Sequence, residues 1–348
     1  MEAYRHLGAA ELTAYMERLL RAAGASEAHA RLTAESLAAA SLRGVDSHGA
    51  QLLTFYLEQL IDGRVDGRGA GRVERESGAC LLYDGENALG QVVAGACAEH
   101  AARLASAFGV GLAVARDSNH FGAAAFWAER IAARGHVGIV MCNASPMVAP
   151  WQAREAVWGT NPICCALPGG AAWELDMATT TVAMGKIYKA NVNREPEIPP
   201  GWAMDSTGAP TVSTAAALSG FLMPLGGYKG SGLAMMVEIL TGALSGGAIG
   251  RELGGLRNKT KPFGVSQFFL AIDPERFGGR ERFVRRVGEL VEMVKSRAVA
   301  QGFEEVLVAG DPEWRVERER RERGIPVTEG LWTDLAGLAA RLGVEAPR

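Results

Sequence analysis

The sequence predicts a layered α/β fold, on three observations. Two amphipathic helical stretches open the chain, and short apolar strands alternate with helices from about residue 72 onward. No G-x-G-x-x-G run follows a strand, so a Rossmann dinucleotide site is not supported. With 348 residues the chain suffices for two domains or one elaborate one. Hydrophobic residues make up 48% and charged residues 22%, the balance of a soluble globular protein. A net charge of -3 offers nothing to nucleic acid or to an anionic membrane surface.

Residues 9–23 and 26–43 read as two helices parted by Gly24, with Ser26 as N-cap of the second and Gly44 as its end. A third helix is expected to start at Asp46 and run to Gly63. "GVGLAVARDSNHFG" (109–122) reads as strand then loop, "AAAFWAERIAARG" as helix and "HVGIVMC" as the next strand, a β-α-β rhythm. "ICCALPGGAAWELDMA" (163–178) reads as two short strands about a Pro-Gly-Gly turn, and "TTTVAMGKIYKA" as a Thr-capped helix. Residues 191–213, rich in Pro and Gly, read as a long ordered excursion. A helix over 231–245 is apolar on most sides and is expected to be buried. "SQFFLAI" is a strand, a charged helix lies near 281–300, and "RVERERRERG" reads as a solvated helix face.

The N-terminus lacks a basic region followed by an apolar run, so no signal peptide is expected. Apolar runs such as "GLAMMVEIL" meet a charge, here Glu238, too early to span a membrane. The five cysteines form no C-x-x-C pair, and Cys164 and Cys165 would face opposite sides of a strand. Neither a zinc site nor a disulfide framework is expected, and a reduced cytoplasmic compartment fits.

Four stretches carry groups suited to chemistry. In "VDSHG", Asp46 would cap the third helix and leave His48 in its first turn, where the positive helix end holds the imidazole neutral; the same letters also read as a plain cap. In "SNHFG", His120 follows an apolar strand at its carboxyl end, where open sheets place ligands. Ser118 and Asn119 add polar groups there, and Gly122 permits close approach. The Gly-rich "PLGGYKGSG" brings Lys229 to a helix start, a setting that suits an anion. Thr160, Asn161 and Asp176 flank two strands and could line one crevice.

Taken in order, "RGVDSHG", "SNHFG", "GTNPI", "DMATT", "GKI", "PPGWAMDSTGAPT", "GGYKGSGLAMMVEILTG" and "FFLAIDPERF" resemble the type-2 malate/L-lactate dehydrogenase family. That family also includes sulfolactate, ureidoglycolate and diketogulonate enzymes and cyclic ketimine reductases. The likeness runs from the first helices to "GDPE" at 310–313. It implies a non-Rossmann three-layer α/β fold with a mixed sheet. Residues 1–70 and 280–348 would form a helical part on the dimer and substrate side, and 71–279 an α/β part with the NAD(P)-binding region at about 110–225. It further implies an intertwined homodimer and an enzyme that interconverts a 2-hydroxy acid and a 2-oxo acid with NAD or NADP.

Carried over by position, His48 would donate and accept the proton, with Ser47 beside it. His120 falls where some members place their catalytic base, whereas in others this loop, with Phe121 and Gly122, touches the cofactor. Ser145, Asp176, Met177, Ala178, Lys229 and Gly230 would contact the dinucleotide; Asn119 and Thr160, with His48, would face the substrate. Many members carry an arginine three or four residues after the SHG histidine, but here Gln51 and Leu52 stand there. That departure leaves open which acid is the substrate, and whether a ketimine takes its place. A nucleotide-binding protein without catalysis is a third reading, against which the retention of His48 and His120 argues.

Overall fold

The computed structural model describes residues 4–170, 173–255 and 261–347. Strand β1 (Tyr4–Leu7) leads into helices α1 (Ala9–Ala22) and α2 (Glu27–Leu42), and Ser26 caps α2 as expected by accepting from the His29 amide. The next helix, α3, spans Leu53–Ile61 and does not begin at Asp46. Two short 3-10 turns, Asp46–His48 and Ala50–Leu52, come first. The reason lies at Gly49, where a Cβ would stand 2.1 Å from Ser41 Oγ, so the chain passes hard against the end of α2 before it can coil. Ser41 Oγ fastens the bend by accepting from the Ala50 amide at 2.9 Å.

Strands β2 (Arg72–Ser77) and β3 (Cys80–Asp84) precede α4 (Gly90–Phe108), β4 (Val110–Ser118), α5 (Ala124–Ala133) and β5 (Val137–Cys142). Next come β6 (Ile163–Ala166) and β7 (Glu174–Met177), then α6 (Met184–Val192). The excursion that follows is ordered, with β8 (Ala203–Met204), β9 (Pro210–Thr211), α7 (Thr214–Leu218) and β10 (Phe221–Leu222). Helix α8 (Tyr228–Glu238) continues as a π turn over Ile239–Ala243. The last elements are β11 (Val265–Ile272), α9 (Arg280–Lys295), α10 (Asp311–Arg323), β12 (Ile325–Thr328) and α11 (Glu329–Leu342).

Seven strands form one mixed sheet in the order β2-β3-β4-β11-β5-β6-β7, in which β3 and β4 run parallel and the other neighbours antiparallel. Alternation assigns the layers. Ala113 and Ala115 of β4 and Phe269 of β11 share a core with Ala98 of α4 and Trp127 of α5. Their neighbours Val114 and Phe268 face Val237 of α8 on the other side. The helical part has its own core, in which Leu12, Leu37 and Tyr56 meet Ile325, Trp332 and Leu335. Strand β1 pairs antiparallel with β12, Tyr4 opposite Thr328, so both chain ends build this part.

Two further expectations need correction. Helix α6 is not Thr-capped: its N-cap is Ala183, and the Thr180 hydroxyl donates to Val182 O at 2.8 Å instead. The α8 segment is not buried all round. Val237 and Thr241 face inward, but Met235, Ile239 and Leu244 are 53%, 51% and 53% exposed, because no other part of the described chain covers that face.

Candidate active site

A cleft of about 2280 Å³ is bounded by the turn after α2, the loop after β4, the end of β7 and the first turn of α6. His48 enters it from the first 3-10 turn, with Ser47 Oγ 3.0 Å from its Nδ1. Burial holds the His48 pKa below its usual value. The helix-end explanation expected from the sequence therefore gives way to desolvation, since the turn bearing His48 is not the start of an α-helix.

His120 enters from the loop after β4, which is fixed from below. At Gly90, the first residue of α4, a Cβ would stand 2.2 Å from Asn119 O and 2.3 Å from His120 O, so the helix packs directly on the loop backbone. Gln267 Nε2 donates to Ser118 Oγ at 2.8 Å and to Asn119 O at 3.2 Å. The Asn119 amide donates away from the cleft, to Ala88 O at 2.8 Å and Asn87 Oδ1 at 3.1 Å. Phe121 is buried against Trp127 and Phe269. Asn119 and Phe121, both assigned to the site from the sequence, are thus buried scaffold and do not line the cleft.

The two imidazoles stack with centroids 5.7 Å apart and planes 22° from parallel. His120 Nδ1 receives the Gly122 amide at 3.2 Å and the Tyr56 hydroxyl at 2.6 Å. A backbone N–H cannot accept, so Nδ1 carries the lone pair and the neutral ring has its proton on Nε2. Burial and the neighbouring His48 push the His120 pKa down to about 3, which keeps the ring neutral at any ordinary pH. Tyr56 escaped the sequence reading. Its one signal is a hydroxyl on the buried face of α3, among Leu53, Leu57 and Leu60.

Ser145, Thr160, Asp176, Met177, Ala178 and Gly122 all line the same cleft. Asp176 sits on β7, and its carboxylate accepts from the Ala125 amide at 2.9 Å in the first turn of α5. It opens into the cleft, yet the enclosing walls raise its pKa to about 6. Asn161 is buried scaffold, accepting from Ala144 N at 3.1 Å and donating to Ala234 O and Glu238 at 3.0 Å. Lys229 and Gly230 lie outside the cleft: Lys229 is exposed on α8, and Gly230 packs on the Leu225 backbone.

Two arginines brace the surroundings of the His48 turn. Arg43, 7% exposed, bridges Glu129 at 2.9 Å and Glu174. Arg320 of α10 grips Asp46 with both Nη atoms, at 2.5 and 3.0 Å, and also donates to Ser41 O. The expected solvated face of "RVERERRERG" therefore does not run all round the helix: Arg320 turns inward to Asp46 and Val316 packs against Gly44.

A dinucleotide fits the donor set. Helices α5 and α6 both begin at the cleft, and their N-caps, Ala123 and Ala183, supply no side-chain hydrogen bond. The Ala125 amide is taken by Asp176 and the Lys186 amide by Ala183 O; the other first-turn amides suit phosphate oxygens. Among the described residues no helix is long and apolar enough to cross a membrane. All five cysteines are free, Cys164 buried and Cys165 half-buried on opposite faces of β6, as expected.

Comparison with known proteins agrees with this architecture. The L-sulfolactate dehydrogenase of Methanocaldococcus jannaschii is 36% identical over 94% of each chain, and its solved structure superposes with a TM-score of 0.92 over 98% of each. The malate dehydrogenase of Pyrococcus abyssi is 35% identical over 99% of this chain and 97% of its own. The structure of Δ1-piperideine-2-carboxylate reductase from Pseudomonas syringae pv. tomato matches with a TM-score of 0.85 at 30% identity, covering 96% of this chain and 100% of that one. These likenesses define a dehydrogenase, an enzyme acting on CH–OH groups. The family model for malate/L-lactate dehydrogenase matches residues 7–336, and the chain belongs to that family.

Proposed function

We propose that this enzyme interconverts a 2-hydroxy acid and a 2-oxo acid with NAD or NADP, His48 moving the proton. The observation that carries the reading is a pair of stacked histidines over one cleft, one beside a serine hydroxyl and the other with its Nδ1 filled. His48 Nδ1–H donating to Ser47 Oγ leaves a bare Nε2 that can take a hydroxyl proton. His120, its Nδ1 already filled, offers Nε2–H to the same substrate oxygen. In oxidation His48 becomes imidazolium, steadied by the serine oxygen; in reduction it returns the proton. The nicotinamide, when bound, exchanges the hydride. The first turns of α5 and α6, with Ser145, Asp176, Met177 and Ala178, would hold the dinucleotide, and Thr160 would face the substrate. Lys229 and Gly230 do not line this cleft but adjoin Leu225 at its rim, where they would meet the outer end of the dinucleotide. We further propose a cytoplasmic homodimer. The bare apolar face of α8 and the five free thiols support it.

A ketimine of a 2-oxo acid is the second reading, favoured by the likeness to the piperideine-carboxylate reductase. The test is consumption of NADH and of NADPH with pyruvate, oxaloacetate and Δ1-piperideine-2-carboxylate. Turnover of a 2-oxo acid is expected, with His48→Ala and His120→Ala each slower by about a hundredfold or more. Turnover of the imine alone favours the second reading. Full activity in both variants overturns the mechanism.

A further inference from the structure

The catalytic turn carries no cation for the substrate's carboxylate: after His48 come Gly49, Ala50, Gln51 and Leu52. Other cations line the cleft, and most are spent. Arg43 holds Glu129 and Glu174, Arg320 holds Asp46, and Arg251 holds Glu155 at 3.0 Å. Lys261 donates to the backbone oxygens of Arg251 and Glu252. Lys186 and Lys189 of α6 differ, since neither has an anionic partner among the described residues. Of these two, Lys186 stands next to Gly185, and Gly185 touches the catalytic turn: a Cβ there would meet Ser47 Cβ at 3.1 Å. The Lys186 ammonium lies 6.0 Å from the Trp202 ring centroid, a contact that steadies the stem and leaves its N–H donors unfilled.

We propose that Lys186 anchors the 1-carboxylate of a 2-oxo acid beside His48. The assignment rests on the oxidoreductase reading above and gives that site its missing charge. Lys189, one turn on, adds to the positive field. Lys186 is exposed at the cleft wall, and an ammonium there meets a carboxylate through a charge-assisted hydrogen bond.

The test is calorimetric binding of oxamate, an unreactive isostere of pyruvate, to protein saturated with NADH and, separately, with NADPH. Wild type binds oxamate; Lys186→Met weakens it by about tenfold to a hundredfold, and Lys186→Arg restores most of the loss. Affinity for the reduced cofactors stays within about twofold. Unchanged oxamate binding by Lys186→Met overturns the proposal, and so does a loss of cofactor affinity with oxamate retained, or no oxamate binding by wild type. Should Lys186→Met fail to fold, Lys186→Gln serves in its place with the same expected loss. Turnover separates the two readings. A protein that binds oxamate through Lys186 yet reduces no 2-oxo acid keeps the anchor and loses the 2-oxo-acid reading. One that reduces 2-oxo acids with Lys186→Met unimpaired does the reverse.

Discussion

His120 has both of its neighbouring donors on one ring nitrogen, and this divides the labour between the histidines. Removing the Tyr56 hydroxyl leaves only the Gly122 amide to fix the ring. Tyr56→Phe should therefore lower kcat by about fivefold to thirtyfold, the worth of one such hydrogen bond, with cofactor affinity kept. In the proposed mechanism His48, whose pKa burial holds below 6.5, would set the pH dependence. As base it must be neutral, so kcat/KM for oxidation should rise through a pKa below 6.5 and stay flat above it. As acid it must be protonated, so the reductive direction should weaken as pH climbs past the same value. An acid limb above pH 7, about the ordinary histidine value or higher, would contradict the assignment. At this scale the histidines were legible because they lie in loops that interrupt apolar stretches. Asn119 and Phe121 share that loop but turn into the scaffold, and only the pairing with Gln267 and Trp127 reveals it. Tyr56 was illegible, since a tyrosine on an apolar helix face reads as core.

Elements decide how the turn bearing Ser47 and His48 is held. Capping preferences alone favoured a helix from Asp46, but the close passage of Gly49 by Ser41, where a Cβ would stand 2.1 Å from Oγ, is a tertiary fact that local sequence does not carry. Gly49→Ala should force α2 and the turn apart and cost most of the activity, measurable beside the melting temperature. The Arg320–Asp46 clamp is partly exposed, so its worth is about 1–2 kcal/mol, below that of a fully buried charged pair. Arg320→Met and Asp46→Asn should each lower kcat, and the double variant should lose little more than either alone, because both act through one contact. Strict additivity in that cycle would rule the clamp out as the link.

On the scale of the whole molecule, the α/β class was legible from the strand and helix rhythm, and the mixed sheet from the resemblance of ordered motifs. The strand order was not, since β11 enters between β4 and β5 from far along the chain. The amphipathic logic that predicted a buried helix at 231–245 holds for one face; the other, with Met235, Ile239 and Leu244, is left bare in the single chain, where the proposed dimer would cover it. Light scattering should find a dimer for the wild type. Ile239→Arg should shift it toward monomer, and a dimer of undiminished strength would place the interface elsewhere.

The clamp from α10 reaches a residue 274 positions upstream, and β1 finds its partner only in β12. During synthesis the sheet and its covering helices emerge long before Arg320 leaves the ribosome. The histidine turn is therefore set last, and a chain cut short before α10 would keep a folded sheet while lacking a working centre. Activity thus reports that α10 has been made and docked.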